Sequence, residues 1–280
     1  MTTPVLLAVL LAAALHAGWN ALVKVGLDRL LAITLIQVAS MLAALALLPF
    51  AGLPPKVAWP WLAFSAVLHV GYNLALVRAY RYGDLGQVYP IARGTSPLLV
   101  ALVSMSLFDA ELDAPTLAGI ALLVAGIWLM ALRGGGGLRL RGETLAWALT
   151  TSVFIAAYTL ADGYGARAAG DALVYVCWLF LLDGLGMLLV TLALRGPGMF
   201  RAFKPYWAAG LGGGAMSLAA YGIAIWAMTQ APVALVSALR ETSVLFALLI
   251  ATLWLKEPLP PGRLLAGAVI VAGVIVTRLG

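Results

Sequence analysis

Charged residues are scarce in this chain, and cysteine and histidine are nearly absent. Of its 280 residues, 10% are charged and 64% are hydrophobic, which is far from the composition of ordinary water-soluble domains. So little polar sequence excludes a soluble catalytic or nucleic-acid-binding domain. The single cysteine, Cys177, cannot form an internal disulfide or a multi-cysteine metal site. The chain is therefore predicted to be an integral membrane protein, with no cofactor and no metal.

Long apolar runs recur along the whole sequence. Each run of about 20 residues can cross the hydrocarbon core of a bilayer as a helix, whereas the alternating pattern of a membrane barrel is absent. Ten spans are predicted, at residues 4–23, 30–50, 58–80, 85–107, 114–132, 143–163, 172–194, 206–228, 232–254 and 261–279. We therefore expect an all-α, multi-pass protein of the cell (inner) membrane.

Basic residues are unevenly distributed among the predicted loops. Of the 17 Lys and Arg residues, twelve lie in or beside the odd-numbered loops and three on the opposite side, while Arg93 and Arg240 lie within spans. Because cytoplasmic loops carry the excess of Lys and Arg, the odd-numbered loops are predicted to be cytoplasmic. The net charge of +6 fits contact with anionic lipid headgroups and not a nucleic-acid partner.

Four glycines at residues 134–137 divide the ten spans into two groups of five. An Arg-x-Thr-Ser sequence begins at Arg93 in span four and again at Arg240 in span nine, which predicts a duplication into residues 1–135 and 136–280. Five is an odd number, so the second copy enters the membrane in the opposite orientation. Two inverted five-helix repeats around a central cavity are the architecture of many secondary transporters.

The two matched arginines lie near the middle of apolar spans. A guanidinium at the centre of a membrane helix costs roughly 2.5–3.5 kcal/mol on insertion scales, so each must face protein, water or an anion. Arg240 cannot pair face to face with the adjacent Glu241, which points about 100° away around the helix. Two interpretations stay open for Arg240: contact with an anionic solute, or an ion pair with an acid such as Asp162 or Asp183.

Aromatic and polar side chains share helix faces in several spans. Residues three and four positions apart lie on one face, which predicts a cavity wall, with hydrogen bonding between helices as the alternative. Pro90 and Pro97 also predict a kink beside Arg93 in span four, whereas span nine has no interior proline. The predicted wall residues are Trp19, Asn20, Tyr72, Asn73, Tyr89, Tyr221 and Ser243, together with His16 and His69 on the same two faces of spans one and three.

Five ionisable residues are candidates for coupling or gating. Buried acids and imidazoles can exchange protons near neutral pH, and charged groups from two spans can form a gate. For the residues at span ends the alternative is a charged tip that reaches water. The candidates are His16, His69, Glu241, Asp162 and Lys24.

The chain resembles the drug/metabolite transporter superfamily, and within it the ten-helix EamA-type permeases, from span one to span ten. The resemblance rests on the two repeats, on residues 16–20 with Lys24, on Tyr89-Pro90-Ile91-Ala92-Arg93-Gly94 and on Leu239-Arg240-Glu241-Thr242-Ser243. It implies a permease or exporter, not an enzyme, that acts on a small-molecule solute. It does not name the solute. Ten helices can enclose a pathway within one subunit, while small residues on helix faces also permit dimers, so a monomer or a homodimer is predicted.

The predicted function is secondary transport, by alternating access, of a small polar metabolite with an anionic group, such as an amino acid or organic acid. Arg93 or Arg240 would hold the anionic group, since arginine donates two parallel hydrogen bonds to a carboxylate. The alternative is an exporter of lipophilic cations, with Glu241 or Asp162 as the counter-charge. An intramembrane enzyme is disfavoured, because the sequence has neither a Gly-x-Ser-x-Gly elbow nor a His-Glu-x-x-His metal pair.

Overall fold

A computed structural model of the chain describes residues 1–22, 27–82, 85–133, 142–254, 256 and 260–279, and these residues form helices and no strands. The helices are α1 (Thr3–Leu22), α2 (Arg29–Ala51), α3 (Trp59–Tyr82), α4 (Leu85–Leu107), α5 (Ala114–Arg133), α6 (Gly142–Ala169), α7 (Ala172–Arg195), α8 (Met199–Phe203), α9 (Trp207–Gln230), α10 (Val233–Arg240), α11 (Ser243–Leu249) and α12 (Pro261–Val276). Within the described ranges, nine helical stretches are long and apolar enough to cross a membrane, and Pro261–Val276 is a shorter apolar helix. The predicted all-α membrane fold is confirmed.

The outer surface of the bundle is apolar. Large hydrophobic side chains project from it, among them Phe50, Leu107 and Val67, which are 82%, 73% and 70% exposed. A water-soluble monomer rarely shows so much apolar surface, whereas lipid tails solvate it well. The chain is a multi-pass membrane protein.

The kink predicted beside Arg93 in span four stays a prediction, and the interruption that the structure shows lies in span nine. Helix α4 runs without interruption through Pro90 and Pro97, whereas the proline-free span nine is divided into α10 and α11 after Arg240. A side-chain bond stabilises this turn, since the hydroxyl of Thr242 donates to the carbonyl of Leu239 at 2.7 Å. The span then ends in a π-helical turn, Ile250–Trp254. Elsewhere the predicted ends differ by a few residues, the largest difference being the extension of α6 from 163 to Ala169.

Glycine allows α5 and α12 to touch backbone to backbone. A Cβ atom on Gly119 would approach the carbonyl oxygen of Gly273 to 2.9 Å, and one on Gly126 would approach the carbonyl oxygen of Ala266 to 3.0 Å. Small residues commonly bring membrane helices together in this way. The same spans carry the Leu-Ala-Gly and Val-Ala-Gly steps that recur between the two halves of the sequence.

The remaining helices pack in pairs that join the two halves of the chain. Helix α2 packs on α7, α3 on α6 and α1 on α9. Loop acids fix several helix starts: the side chains of Asp28, Asp113 and Asp171 accept hydrogen bonds from backbone N–H groups in the first turns of α2, α5 and α7. The bonds from Thr116 hold the pKa of the exposed Asp113 carboxyl below its ordinary value.

Candidate functional site

A cavity of about 540 Å³ lies between the two halves of the bundle, which is large enough for a small metabolite. Residues from α1, α2, α3, α7, α9, α11 and the π-helical turn line it, with single residues from α4, α6 and α10. It extends to the end of the bundle where α2 begins, and there the exposed guanidinium of Arg29 lies 4.7 Å from the ring centroid of Tyr80. This end forms the mouth of the cavity.

The opposite end of the bundle is closed. Buried apolar residues such as Met228, Val233 and Leu235 pack together at this end, where α9 ends and α10 begins. At the surface of this end the guanidinium of Arg167 donates to the carbonyl of Met228 at 2.7 and 2.9 Å and to that of Ala231 at 2.9 Å. The ring of Tyr164 stacks on Phe108 beside it, with centroids 3.9 Å apart. The cavity is therefore accessible from one side of the membrane.

Arg93 forms a buried ion pair across the two halves. Its Nε donates to Glu241 Oε2 at 2.7 Å and its Nη2 donates to Oε1 at 2.8 Å, and both side chains are 3% exposed. Such bidentate geometry offsets the cost of removing both charges from water. Arg93 still lines the cavity, but its charge is matched by the carboxylate of Glu241.

Arg240, the sequence counterpart of Arg93, has a different environment. Its guanidinium lies 4.6 Å from the ring centroid of Tyr221 and lines the cavity, while the residue as a whole is 8% exposed. Among the described residues no carboxylate forms an ion pair with it, so neither Asp162 nor Asp183 fills that role. A buried cation facing a hollow is the arrangement that an anionic group can complete.

Asp162 is fully buried at the centre of a hydrogen-bond network, and the alternative of a charged tip reaching water does not apply to it. Its Oδ1 accepts from the hydroxyls of Ser65 at 2.5 Å and Tyr175 at 3.1 Å. Its Oδ2 accepts from Tyr221 at 2.5 Å and lies 3.0 Å from His69 Nε2. The network joins α3, α6, α7 and α9 and touches the cavity through His69 and Tyr221.

Unpaired polar atoms are concentrated on the cavity residues. Among the described side chains, seven buried nitrogen or oxygen atoms have no hydrogen-bond partner, and four of these belong to lining residues. A buried polar atom without a partner costs about 1–3 kcal/mol, so several on one wall favour a polar occupant. The four are Trp19 Nε1, Asn73 Nδ2, Asp183 Oδ1 and Ser243 Oγ.

The sequence model of the EamA-like transporter family matches this chain twice, at residues 3–132 and at residues 143–279. The chain belongs to the EamA-like transporter family. It is therefore a membrane transporter, and the resemblance inferred from the sequence is confirmed.

Two further comparisons found proteins that are similar to this chain in part of the sequence or in fold. The probable 4-amino-4-deoxy-L-arabinose-phosphoundecaprenol flippase subunit ArnE of Pseudomonas paraeruginosa is 39% identical over 72 residues, or 26% of this chain. The match spans 60% of the length of that relative. A solved crystal structure has the same fold, with a TM-score of 0.78 and 18% identity over 100% of this chain and 98% of the other.

Most side chains that the sequence predicts for the site line the cavity of this EamA-like transporter, but Glu241 and Asp162 lie behind its wall. Two predicted residues cannot be located: Lys24 lies outside the described residues, and the side chain of Tyr89 is not described. The predicted residues on the wall are His16, Trp19, Asn20, His69, Tyr72, Asn73, Arg93, Tyr221, Arg240 and Ser243.

The cavity also contains residues that the sequence reasoning did not assign to it. Gln37 lies in the middle of α2, and its amide donates a hydrogen bond to Oδ2 of Asp183 in α7. Both residues line the cavity, as do Arg29, Tyr80 and Tyr158. The sequence could have predicted that Gln37 faces inward, because it is an isolated amide in an apolar span and lipid disfavours an amide.

Proposed function

We propose that this EamA-like transporter is a secondary transporter that moves a small polar metabolite with an anionic group, such as an amino acid or organic acid, across the inner membrane. The observation that carries the proposal is Arg240, a buried guanidinium that faces the cavity with no carboxylate partner among the described residues. Its planar fork of N–H donors suits a carboxylate. The solute would complete the charge that the protein leaves unmatched.

Aromatic and amide groups give the solute the rest of its environment in this proposal. The rings of Trp19, Tyr72 and Tyr221 line the cavity beside Arg240, while Asn73 and Ser243 present unpaired polar atoms. Pockets for small molecules typically combine apolar walls with a few placed polar groups that fix orientation. We assign recognition of the solute to these residues and a structural role to the Arg93–Glu241 pair.

Alternating access in this proposal uses two inverted repeats, residues 1–135 and 136–280. Helix packing supports the duplication, because the contact of α1 with α9 has its counterpart in that of α6 with α3, and α2 with α9 in that of α7 with α3. The family match to each half supports it too. With the odd-numbered loops in the cytoplasm, the mouth beside Arg29 faces the cytoplasm and the Arg167 end faces outward.

The network around Asp162 supplies the proposed link between solute and helix movement. Tyr221 contacts Arg240 on one side and donates to Asp162 on the other, while His69 joins the same carboxylate. A solute that draws Arg240 away from the Tyr221 ring changes the packing of Tyr221, which contacts Arg240 and also donates to Asp162. We therefore assign gating to His69 and Asp162, whose side chains connect α3 with α6.

Uptake into proteoliposomes tests the proposal. Purified protein is reconstituted and supplied with labelled amino acids and organic acids to find a solute that it carries. The uptake of that solute is then compared between Arg240→Gln and Arg201→Gln. Arg201 provides the matched control, since it is an exposed arginine in α8 that does not line the cavity. We expect Arg240→Gln to abolish uptake while Arg201→Gln retains it. Equal uptake by the two variants contradicts the proposal.

A further inference from the structure

A second charged group, Asp183, faces the same cavity as Arg240. Asp183 is 3% exposed, and its two carboxylate oxygens have different surroundings. Oδ2 accepts the hydrogen bond from the amide of Gln37, whereas Oδ1 has no hydrogen-bond donor among the described residues. A buried carboxylate with one free oxygen is costly unless another group reaches it.

The other buried acids are already satisfied by the protein. In the part of the chain that the structure describes, the buried carboxylates are Asp162, Asp183 and Glu241. Glu241 is held by Arg93, and Asp162 receives hydroxyl donors on both oxygens. Among the described residues, Asp183 is therefore the buried acid with an open position, and Arg240 is the buried arginine without a carboxylate partner.

Asp183 and Arg240 lie on the walls of one cavity, on helices α7 and α10. A solute with only a carboxylate would pair with Arg240 and leave Asp183 without a partner. A solute with only an amine would pair with Asp183 and leave Arg240 without one. A zwitterionic solute pairs with both side chains and adds no net charge to the interior of the protein. We propose that Asp183 binds a cationic group of the solute, so that the transporter recognises a zwitterion, such as a free amino acid, through both of its charges.

This inference rests on the proposed function, because it assumes that Arg240 holds the anionic group. The inference adds a requirement for a positively charged group on the solute, and this requirement separates amino acids from organic acids. Organic acids without an amine and amines without a carboxylate become poor ligands. Asp183 is then a specificity-determining residue, and Gln37 positions it by holding the other carboxylate oxygen.

Matched ligand sets test the assignment on the wild-type protein. Leucine is compared with 4-methylpentanoate and 3-methylbutylamine, phenylalanine with 3-phenylpropanoate and 2-phenylethylamine, and serine with 3-hydroxypropanoate and ethanolamine. Binding to purified protein in detergent is measured by isothermal titration. We expect at least one amino acid to bind about 10- to 100-fold more tightly than both of its fragments, as for charge-assisted hydrogen bonds. If no amino acid exceeds its own fragments, the inference is wrong.

The variant Asp183→Asn separates recognition from a structural role. Asparagine keeps the shape of the side chain and an oxygen that can accept from Gln37, but it loses the negative charge. We expect the advantage of the amino acid over its deaminated fragment to disappear, while the affinity for that fragment changes less than about threefold. A parallel loss for both ligands would show a structural role and overturn the assignment.

The same ligands distinguish this inference from the proposed function. If Arg240→Gln leaves the binding of every carboxylate unchanged, the proposed function fails. If Arg240→Gln weakens carboxylate binding while Asp183→Asn leaves the amino acid preference intact, the proposed function stands and the assignment of Asp183 fails. Tighter binding of amines than of the matched amino acids would contradict recognition of a zwitterion and would favour a cationic solute.

Discussion

Arg93 and Arg240 begin the same Arg-x-Thr-Ser sequence in the two halves of the chain, yet they have opposite surroundings. Arg93 lies within the continuous helix α4 and is paired with Glu241 through two hydrogen bonds. Arg240 lies at the last residue of α10, where the helix is interrupted, and contacts the ring of Tyr221 and the cavity. One matched arginine is thus neutralised by the protein, and the other is available to a ligand.

The acid beside Arg240 explains the difference. The position after Arg93 is Gly94, whereas the position after Arg240 is Glu241, which crosses the bundle to neutralise the arginine of the other half. Among the described residues, all three buried carboxylates belong to the second half, and each bonds to a side chain of the first half. A sequence duplication therefore does not imply that matched residues share a role.

The largest expected effect comes from removing Arg93. Arg93→Met leaves Glu241 buried without its cation, so we expect the free energy of unfolding to fall by about 3–5 kcal/mol. The double variant Arg93→Met with Glu241→Leu removes both charges and should regain most of that loss. Unfolding of the purified proteins in mixed detergent micelles measures both. A stable single variant would contradict the description of this pair as structural.

Removal of Arg240 should act on binding more than on folding. Arg240→Met loses the contact with Tyr221, which is worth about 0.5–2 kcal/mol, and leaves no partnered carboxylate behind. Affinity for a transported solute should fall by roughly 10- to 150-fold, the equivalent of about 1.5–3 kcal/mol for a charged hydrogen bond. Titration of the solute together with thermal unfolding separates the two effects. Unchanged affinity would remove the distinction between the two arginines.

Tyr221 links Arg240 to Asp162, and two tyrosine variants can separate its contacts. Tyr221→Phe and Tyr175→Phe each remove one hydroxyl from Asp162, so each should cost about 1.5–3 kcal/mol in stability. Tyr221→Leu also removes the ring beneath Arg240 and should weaken solute binding, whereas Tyr175→Phe should leave binding unchanged. Equal solute affinity in Tyr221→Leu and Tyr175→Phe would argue against a role for the Arg240 contact.

The smallest expected effects distinguish the hydroxyls that follow the two arginines. Ser243 Oγ and Thr95 Oγ1 are both buried and have no hydrogen-bond partner among the described residues, but Ser243 lines the cavity and Thr95 does not. We expect Ser243→Ala to weaken solute binding by up to about tenfold, and Thr95→Val to change neither binding nor stability by more than about 1 kcal/mol. A binding defect in Thr95→Val would show that the solute also depends on the Thr95 hydroxyl in the first half of the chain.

Most of the fold could be predicted from the sequence because the bilayer imposes simple rules on it. A span needs about 20 apolar residues, so the number and approximate ends of the helices follow from hydrophobicity alone. The helix interruption after Arg240 could not be foreseen in this way. It occurs without proline and involves the side-chain bond of Thr242 and the pairing of Glu241 with a distant helix, neither of which has a local sequence signal.

The residues of the site were easier to predict than their partners. Polar residues in apolar spans, such as His69, Asn73 and Arg240, face inward because lipid disfavours them, and they do line the cavity. Which acid pairs with which arginine depends on contacts between helices far apart in the chain. The importance of Asp183 emerged from the contrast between its two oxygens, one bonded to Gln37 and one unpaired, which no periodicity reveals.

The mouth beside Arg29 and Tyr80 has a practical consequence for inhibitors. In the state that the structure shows, a compound too polar to cross the bilayer can plug the cavity only from the face on which that mouth opens. Under the proposed alternating access, the cavity opens to the opposite face in the other state. A compound added outside vesicles would therefore reach molecules of both orientations, but it would bind them in different states. The two orientations should then differ in their affinity for the compound, and two components in the inhibition curve would report the fraction of each orientation.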